Sequence, residues 1–440
     1  MTLPSGWRFD RIKDVAALRT AKTNAKSEVE DYLELEDIES WRMRILNRRN
    51  TLEVESAVTL FKAGDVLFGK LRPYLAKVCR PDFDGKCTGE ILAIRPTHVD
   101  GGYLKYALID PEIIKRCTEF SYGAKMPRIN WATQLSTFSI AIPPLPEQRR
   151  IAAYLDAKCA DVDKAIAAKQ RQVEMIETLW KNVLHDATLH GVHRGGRGAT
   201  ALPSAAGCDM VGLAPRASRA GRDGVPSPSE NTTAGGGTPA LPSGWRFEKI
   251  ARCFDLIGSG TTPKSHMLDY YDGEIPWLQS GDLHGHYIDH TEKCVNERAC
   301  QECNLRIYKA PFIAISMYGS IGNLSIVKID ACTNQACCTL CQPRYLIDPN
   351  FAYFALEASR EELLLSAHGG TQPNISREAI RRLKIPLPPI PEQRRIAAYL
   401  DAKRAGFDAL AGNLRRQVET LEQYRRSLIH ECVTGKRRCA

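Results

Sequence analysis

The chain has 440 residues, 43% of them hydrophobic, enough for two cores of ordinary domain size rather than one. No apolar run approaches the roughly 18 residues that span a bilayer, and the opening MTLPSGWRFDRIK has no apolar stretch after its first charges, so neither a membrane protein nor a secretory signal is expected and a cytoplasmic chain is. Fifteen scattered cysteines, an odd number, suit a reducing compartment better than a disulfide framework, and a net charge of +9 is too mild by itself to point to nucleic acid.

From Leu3, LPSGWRF opens a series of short β-branched or aromatic segments separated by Gly, Pro and Asp: YLELEDI (32–38), FKAGDVLF (61–68), CTGEILAI (87–94) and GAKMPRI (123–129). This is the pattern of strands joined by turns. GYLKYAL (102–108) reads instead as a helix packed on that sheet. The Pro-rich IPPLP then ends the strand region, and PPLPEQRRIAAYLDAK (143–158) starts a long helix with Glu147 in its first turn, where an anionic side chain suits the helix dipole. Leu155, Cys159, Val162, Ile166, Lys169, Val173, Ile176, Trp180 and Val183 fall at alternating steps of four and three, a heptad seam with one polar interruption at Lys169. Residues 155 to 183 of such a helix span roughly 42 Å.

Residues 191–240 hold eleven Gly and five Pro with no Phe, Tyr or Trp, too little apolar surface to fold, and are expected to be a flexible, slightly basic linker. Beyond it the first half returns. LPSGWRF recurs at Leu241, WLQSGDL (277–283) lies over YLELEDI with Asp282 on Asp37, and YKAPFIAI (308–315) lies over FKAGDVLF. CTNQACCT (332–339), NFAYFAL (350–356) and GGTQPNI (369–375) answer their counterparts in the same order, and NFAYFALEASREELLL reads as helical. PPIPEQRRIAAYLDAK (388–403) then repeats the sixteen residues from Pro143 with a single change, Leu145 to Ile390. Its helix continues the seam through Leu400, Arg404, Phe407, Ala411, Leu414, Val418, Leu421, Arg425 and Leu428. Two seams of equal length most simply pack on each other, and the tether between them lets the chain return antiparallel. The expected fold is therefore α+β, an internal twofold repeat of two mixed, mostly β domains joined by two long helices in an antiparallel coiled coil. The expected boundaries are 1–142 for the first domain, 143–190 for its helix, 191–240 for the linker, 241–387 for the second domain and 388–435 for its helix.

Motifs for chemistry are few. GSGTTPKS at Gly258 fails as a phosphate loop, because Pro263 stands before Lys264 where such a loop needs Gly. PDFDGK at Pro81 has the letters of a metal-nuclease signature but only one residue between its acids, and reads as a surface turn. Cys300/Cys303 and Cys338/Cys341 have zinc-knuckle spacing, yet Cys338 falls over Ala93, an ordinary strand position of the first half. His284, His286 and His290 beside Asp282 and Asp289 read as a polar loop rather than a metal site. A duplicated chain without a catalytic motif is expected to be a binding device.

FKAGDVLFGKLRPYLAKV, SYGAKMPRINW, GSGTTPKS, YGSIGN, TNQACC, GGTQPNIS and both PPxPEQRRIAAYLDAK stretches resemble the specificity subunit of type I restriction-modification systems. The resemblance implies two target-recognition domains separated by two conserved helices, each domain reading one half of a bipartite site on double-stranded DNA. It implies no cofactor in this chain: S-adenosylmethionine, ATP and Mg belong to partner modification (methyltransferase) and restriction (translocase and nuclease) subunits. The stretch 191–240 is longer than the family's usual connection. Two domains on a spacer of roughly 40 Å would stand about one turn of B-DNA apart, and because they share a frame but little surface sequence, the two half-sites should differ. By repeat position the expected DNA contacts are Lys70, Arg72, Tyr74 and Lys77 after GDVLF, and Lys125 and Arg128 in GAKMPRI. In the second half they are Thr261, Thr262 and Lys264, then Tyr318, Ser320 and Asn323, then Thr371, Gln372 and Asn374. Glu147, Gln148, Arg149 and Arg150, repeated as Glu392, Gln393, Arg394 and Arg395, are expected to be exposed and to dock the modification subunits. The rival readings are a coiled-coil scaffold for other proteins, without salt-dependent DNA affinity, and a metal-dependent nuclease that cuts DNA alone.

Overall fold

Both Pro-rich stops lead into a long helix, Leu145–His190 and Ile390–Val433, of 46 and 44 residues. The structure, a computed structural model, describes residues 3–123, 125–192, 241–264, 266–367 and 373–439, so nearly all of the expected linker lies outside the described residues. The chain divides into two units, Met1–Met175 with Ala411–Ala440, and Ile176–Leu410, and each helix contributes to both. In the first unit Leu155 and Cys159 share a core with Leu428, Ile429 and Cys432, and Lys169 Nζ donates to Gln417 Oε1. In the second, the ring of Trp180 lies 5.6 Å from that of Phe407. Rising numbers on one helix meet falling numbers on the other, the antiparallel pairing that the two seams predict.

The seam is driest at its ends. Leu155, Cys159, Val162, Ile166, Leu400, Phe407, Ala411 and Leu428 are buried, whereas Val173, Leu414, Val418 and Leu421 are half-exposed, since two helices alone leave the flanks of their contact to water. The arginines that interrupt the second seam serve the globular parts. Arg425, 4% exposed, donates to the Trp41 carbonyl, and its Nε lies 3.8 Å from Asp163, which Arg42 also engages at 3.1 Å. In the second unit Arg404 Nη1 donates to both carboxylate oxygens of Glu357, at 2.6 and 2.8 Å.

In the first unit, Arg8–Arg11 pairs antiparallel with Ser139–Ile142 at the helix entrance. One sheet runs Ala16–Leu18, Ile91–Pro96, Val66–Gly69, Val78–Cys79, all antiparallel. Another runs Lys22–Thr23, Val58–Phe61, Gly85–Cys87, Tyr32–Leu33, with the last pair parallel. Helices Gly101–Ile109 and Pro111–Glu119 bury Tyr103, Leu104, Tyr106 and Ile113 in the main core. The second unit repeats the plan. Arg246–Lys249 pairs with Lys384–Leu387, a five-stranded sheet runs Phe254–Ser259, Cys337–Pro343, Phe312–Ser316, Leu324–Val327, Tyr287–Ile288, and a three-stranded one is centred on Ile275–Leu278. The expected helix after Asn350 is broken at Ser359 into Pro349–Ala358 and Arg360–Leu365, where the Ser359 hydroxyl donates to the Ala355 carbonyl.

The buried aspartates matched in sequence hold in contact, while CTNQACCT sits one residue out of its expected register against CTGEILAI, with Cys332 at the place of Lys86. Asp37 and Asp282, both buried, each accept the backbone N–H three residues back, from Glu34 at 2.8 Å and Gln279 at 2.7 Å. Tyr32–Leu33 runs parallel to Lys86–Cys87 as Trp277–Leu278 runs parallel to Cys332–Thr333. Asp84 of PDFDGK accepts from Lys62 Nζ (2.8 Å) and the Ala63 N–H (2.9 Å), and Asp330 does the same for Lys309 (2.7 Å) and Ala310 (2.9 Å). That acid braces a turn.

Candidate nucleic-acid interface

In the first unit the strand Val66–Gly69 releases the chain at Lys70, whose N–H donates to the Glu90 carbonyl (2.9 Å) and whose carbonyl accepts from Ile129 N–H (3.0 Å). The Arg72 N–H donates to the Pro127 carbonyl at 2.7 Å. The loops 70–77 and 122–129, chosen separately from sequence, are therefore one surface. Arg72 (φ 49) and Ala76 (φ 46) adopt left-handed backbone on either side of the short turn Pro73–Leu75, bending the loop so that Arg72 and Tyr74 face water. Lys125 is exposed beside Gly123, whose φ of 98 suits glycine. Among the described residues, Lys70, Arg72 and Lys125 have no ion pair.

Two cations behave differently. Arg128 forks onto Glu90, with Nε 3.0 Å from one oxygen and Nη2 3.3 Å from the other. Lys77, expected on the DNA-facing loop, turns inward: Nζ donates to the carbonyls of Leu35 (2.6 Å) and Ile38 (2.9 Å), and burial lowers its pKa. Exposed Phe120, Tyr122 and Met126, passed over in the sequence, flank or lie within the second loop. A lone aromatic between polar residues gives no periodic signal.

In the second unit, Thr261 N–H donates to the Thr333 carbonyl (3.1 Å), Thr262 Oγ1 donates to Gln335 Oε1, and Lys264 is exposed. Tyr318 and Ser320 are exposed between Met317 and Gly322, while Asn323 is occupied, its Oδ1 accepting from Arg360 Nη2 at 2.8 Å. Thr371 and Gln372 lie outside the described residues. Asn374 is half-buried, and Ile375 N–H donates to the Met317 carbonyl (3.0 Å), which joins that loop to 318–323.

The four residues at each helix entrance separate by role. Gln148 and Gln393, expected to be exposed, are 2% and 0% exposed. Gln148 Oε1 accepts from Asp100 N–H (2.7 Å) and Nε2 donates to the Pro143 carbonyl (2.8 Å); Gln393 does the same with Asp348 (2.8 Å) and Pro388 (2.8 Å), adding Leu346 (2.9 Å). The correction has a plain cause: Asp100 and Asp348 each cap a helix of the globular part, and the glutamine fastens that cap to the long helix. Arg150 and Arg395 pair with Glu147 and Glu392 at 3.4 and 2.7 Å, and Glu147 also accepts from Trp7 Nε1 at 3.0 Å. Arg149 and Arg394 project furthest, 3.8 and 3.7 Å from Asp100 and Asp348.

The cysteine pairs do not converge. Cys300 and Cys303 pack around Trp277, whereas Cys338 and Cys341 sit on one strand and enter two different cores. His286 is half-buried, stacked between Tyr287 and Tyr353 at 4.0 and 4.1 Å. Burial, with Arg404 and Lys328 nearby, lowers its pKa to about 4; Asp401, 3.3 Å from Nδ1, favours the charged ring but is itself half-exposed and shared with the Tyr287 hydroxyl. The ring is neutral when folded and protonates more readily when unfolded, so its stabilisation is whole above about pH 6.5 and lost as pH falls toward about 4. Unfolding followed by circular dichroism across this window is expected to show a loss of stability on acidification that His286→Phe reduces. An unchanged pH profile in the variant would contradict the neutral ring.

Residues 4–176 and 242–420 match the family described as type I restriction modification DNA specificity domain. The MjaIX specificity subunit of Methanocaldococcus jannaschii is 30% identical over 187 residues, 42% of this chain and 42% of that protein; the chain matches less than half the length of this relative. The putative MjaX specificity subunit of the same organism is 22% identical over 461 residues, covering 99% of this chain and 94% of the relative. A solved structure from work on complex assembly and conformational transition of the type I R-M system shares the fold, with a TM-score of 0.68 and 21% identity over 99% of this chain and all of that one. The two matched stretches make up most of the sequence and coincide with its two repeats, and the chain accordingly belongs to the type I restriction modification DNA specificity family.

Proposed function

We infer that the chain is the DNA sequence-recognition subunit of a type I restriction-modification complex, binding an asymmetric bipartite site and carrying no chemistry of its own. The observation that bears most weight is that one frame, repeated contact for contact through Asp37/Asp282, Asp84/Asp330 and Gln148/Gln393, holds two different sets of exposed loop residues. Phosphate contacts set register and base-edge contacts set sequence, so a shared frame with divergent loops gives common presentation and unlike half-sites. Lys70, Arg72, Lys125 and Lys264 supply cations, and Tyr74, Thr261, Tyr318 and Ser320 supply hydroxyls. S-adenosylmethionine, ATP and Mg then belong to the partners, and the working location is the cytoplasm. Affinity for duplex DNA is expected to fall roughly 10²-fold between 50 and 200 mM salt, as four phosphate-neutralising cations would give. Fluorescence anisotropy at several salt concentrations measures this, and salt-independent or absent binding would favour a protein scaffold instead.

Arg149 and Arg394, exposed and alike in both copies, are the best-placed groups to meet the modification subunits. Reversing both to Glu is expected to weaken that association roughly a hundredfold with helicity retained. Full affinity in the doubly reversed chain would move the docking site elsewhere.

A further inference from the structure

The turn that follows the parallel strand pair is the same object in both copies. Thr88 N–H donates to the Leu33 carbonyl and Asn334 N–H to the Leu278 carbonyl, each at 3.0 Å. Each turn also holds the loop that leaves the neighbouring strand, through Lys70 N–H to the Glu90 carbonyl (2.9 Å) in one copy and Met317 N–H to the Ala336 carbonyl (2.7 Å) in the other. The side chains at this turn then diverge: Glu90 braces from the position that holds the loop, whereas in the second copy Ala336 stands there and the preceding Gln335 takes the bracing role. Glu90 takes the guanidinium fork of Arg128 from the loop 122–129, and Gln335 takes the hydroxyl of Thr262 from GSGTTPKS.

We propose that Glu90 and Gln335 are positioning residues that brace different recognition loops in the two domains, and that Arg128 belongs to this brace rather than to the set of base readers. The inference rests on the DNA-reading function above. A carboxylate at a DNA surface repels phosphate unless a cation neutralises it, and a guanidinium held at both ends of its fork has few donors left for guanine. In the second domain the loop lies on the turn itself. Gly260 N–H donates to the Asn334 carbonyl (3.2 Å), and a Cβ at Gly260 would fall 1.6 Å from the Thr333 carbonyl oxygen, so only glycine permits this approach. The second glycine of the stretch that suggested a phosphate loop thus serves backbone packing.

The test is selection from a randomised duplex pool by the full chain and its Glu90→Ala, Glu90→Gln, Arg128→Ala and Gln335→Ala variants, with the bound DNA sequenced. Glu90→Ala and Arg128→Ala are each expected to lower base preference in one half-site roughly tenfold, and together no further than either alone. Glu90→Gln keeps an acceptor for Arg128 and most of the preference, and Gln335→Ala relaxes only the other half-site. Relaxation by Arg128→Ala with Glu90→Ala silent would overturn the proposal, because Arg128 would then read bases itself. Equal loss of both half-sites in Glu90→Ala would overturn it too, as a general folding effect. If the unaltered chain selects no sequence, the DNA-reading function fails first, which is a distinct result.

Discussion

Alanine in place of Gln148 or Gln393 is expected to destabilise its unit by about 3 to 5 kcal/mol, as much as truncating a core leucine of the same stretch. The buried Gln148 amide satisfies the Asp100 N–H and the Pro143 carbonyl, and Gln393 satisfies three backbone groups. Removing either leaves those groups without water or partner, at about 1 to 3 kcal/mol each, and opens a small void. Gln393→Ala should exceed Gln148→Ala, because it strands one group more. Glutamate is no substitute, since a carboxylate cannot donate to the proline carbonyl. The neighbouring Arg149→Ala, at an exposed side chain, should stay within about 0.5 kcal/mol. Calorimetry of the full chain with limited proteolysis to assign the melting unit measures all of these. A loss below about 1 kcal/mol for both glutamines would mean that the amides do not fasten the helices to their domains.

The same residues mark what the sequence could and could not reveal. Sixteen letters repeated from Pro143 at Pro388 show that each position matters in both copies, but not what it touches. A glutamine in the first turn of a helix looks solvent-facing until the helix capped by Asp100, 48 residues earlier in the chain, packs against it. The long helices were legible because a 3.5-residue period depends only on local spacing. The partners of their polar positions were not, since Arg425 meets the Trp41 carbonyl across 384 residues. Strands such as Lys22–Thr23 and Tyr32–Leu33 are too short to show alternation; the alignment of the two halves located the second, and nothing in the sequence marked the first.

The recognition loops were legible as loops and much less as a site. Gly, Pro and polar residues between apolar strands announce exposed turns, and both loop pairs chosen in that way do come together. Charge alone could not separate Arg72, which faces water, from Lys77, which caps buried carbonyls, or from Arg128, which is held by Glu90. The last two fates are set by partners 38 to 42 residues away.

Exchange of the second domain tests modular recognition most directly. Residues 250–383 can be replaced by the matching segment of a family member that reads a different sequence, leaving both Arg246–Lys249 and Lys384–Leu387 in place as the paired strands at the helix entrance. The Gln393 amide, outside the exchanged segment, would still meet a helix cap. Duplexes selected by the chimaera from a randomised pool are expected to keep one half of the parental sequence and the same spacer, and to carry the donor's sequence in the other half. A chimaera that changed both halves, or that selected the parental sequence unaltered, would contradict the division of recognition between two independent domains on one repeated frame.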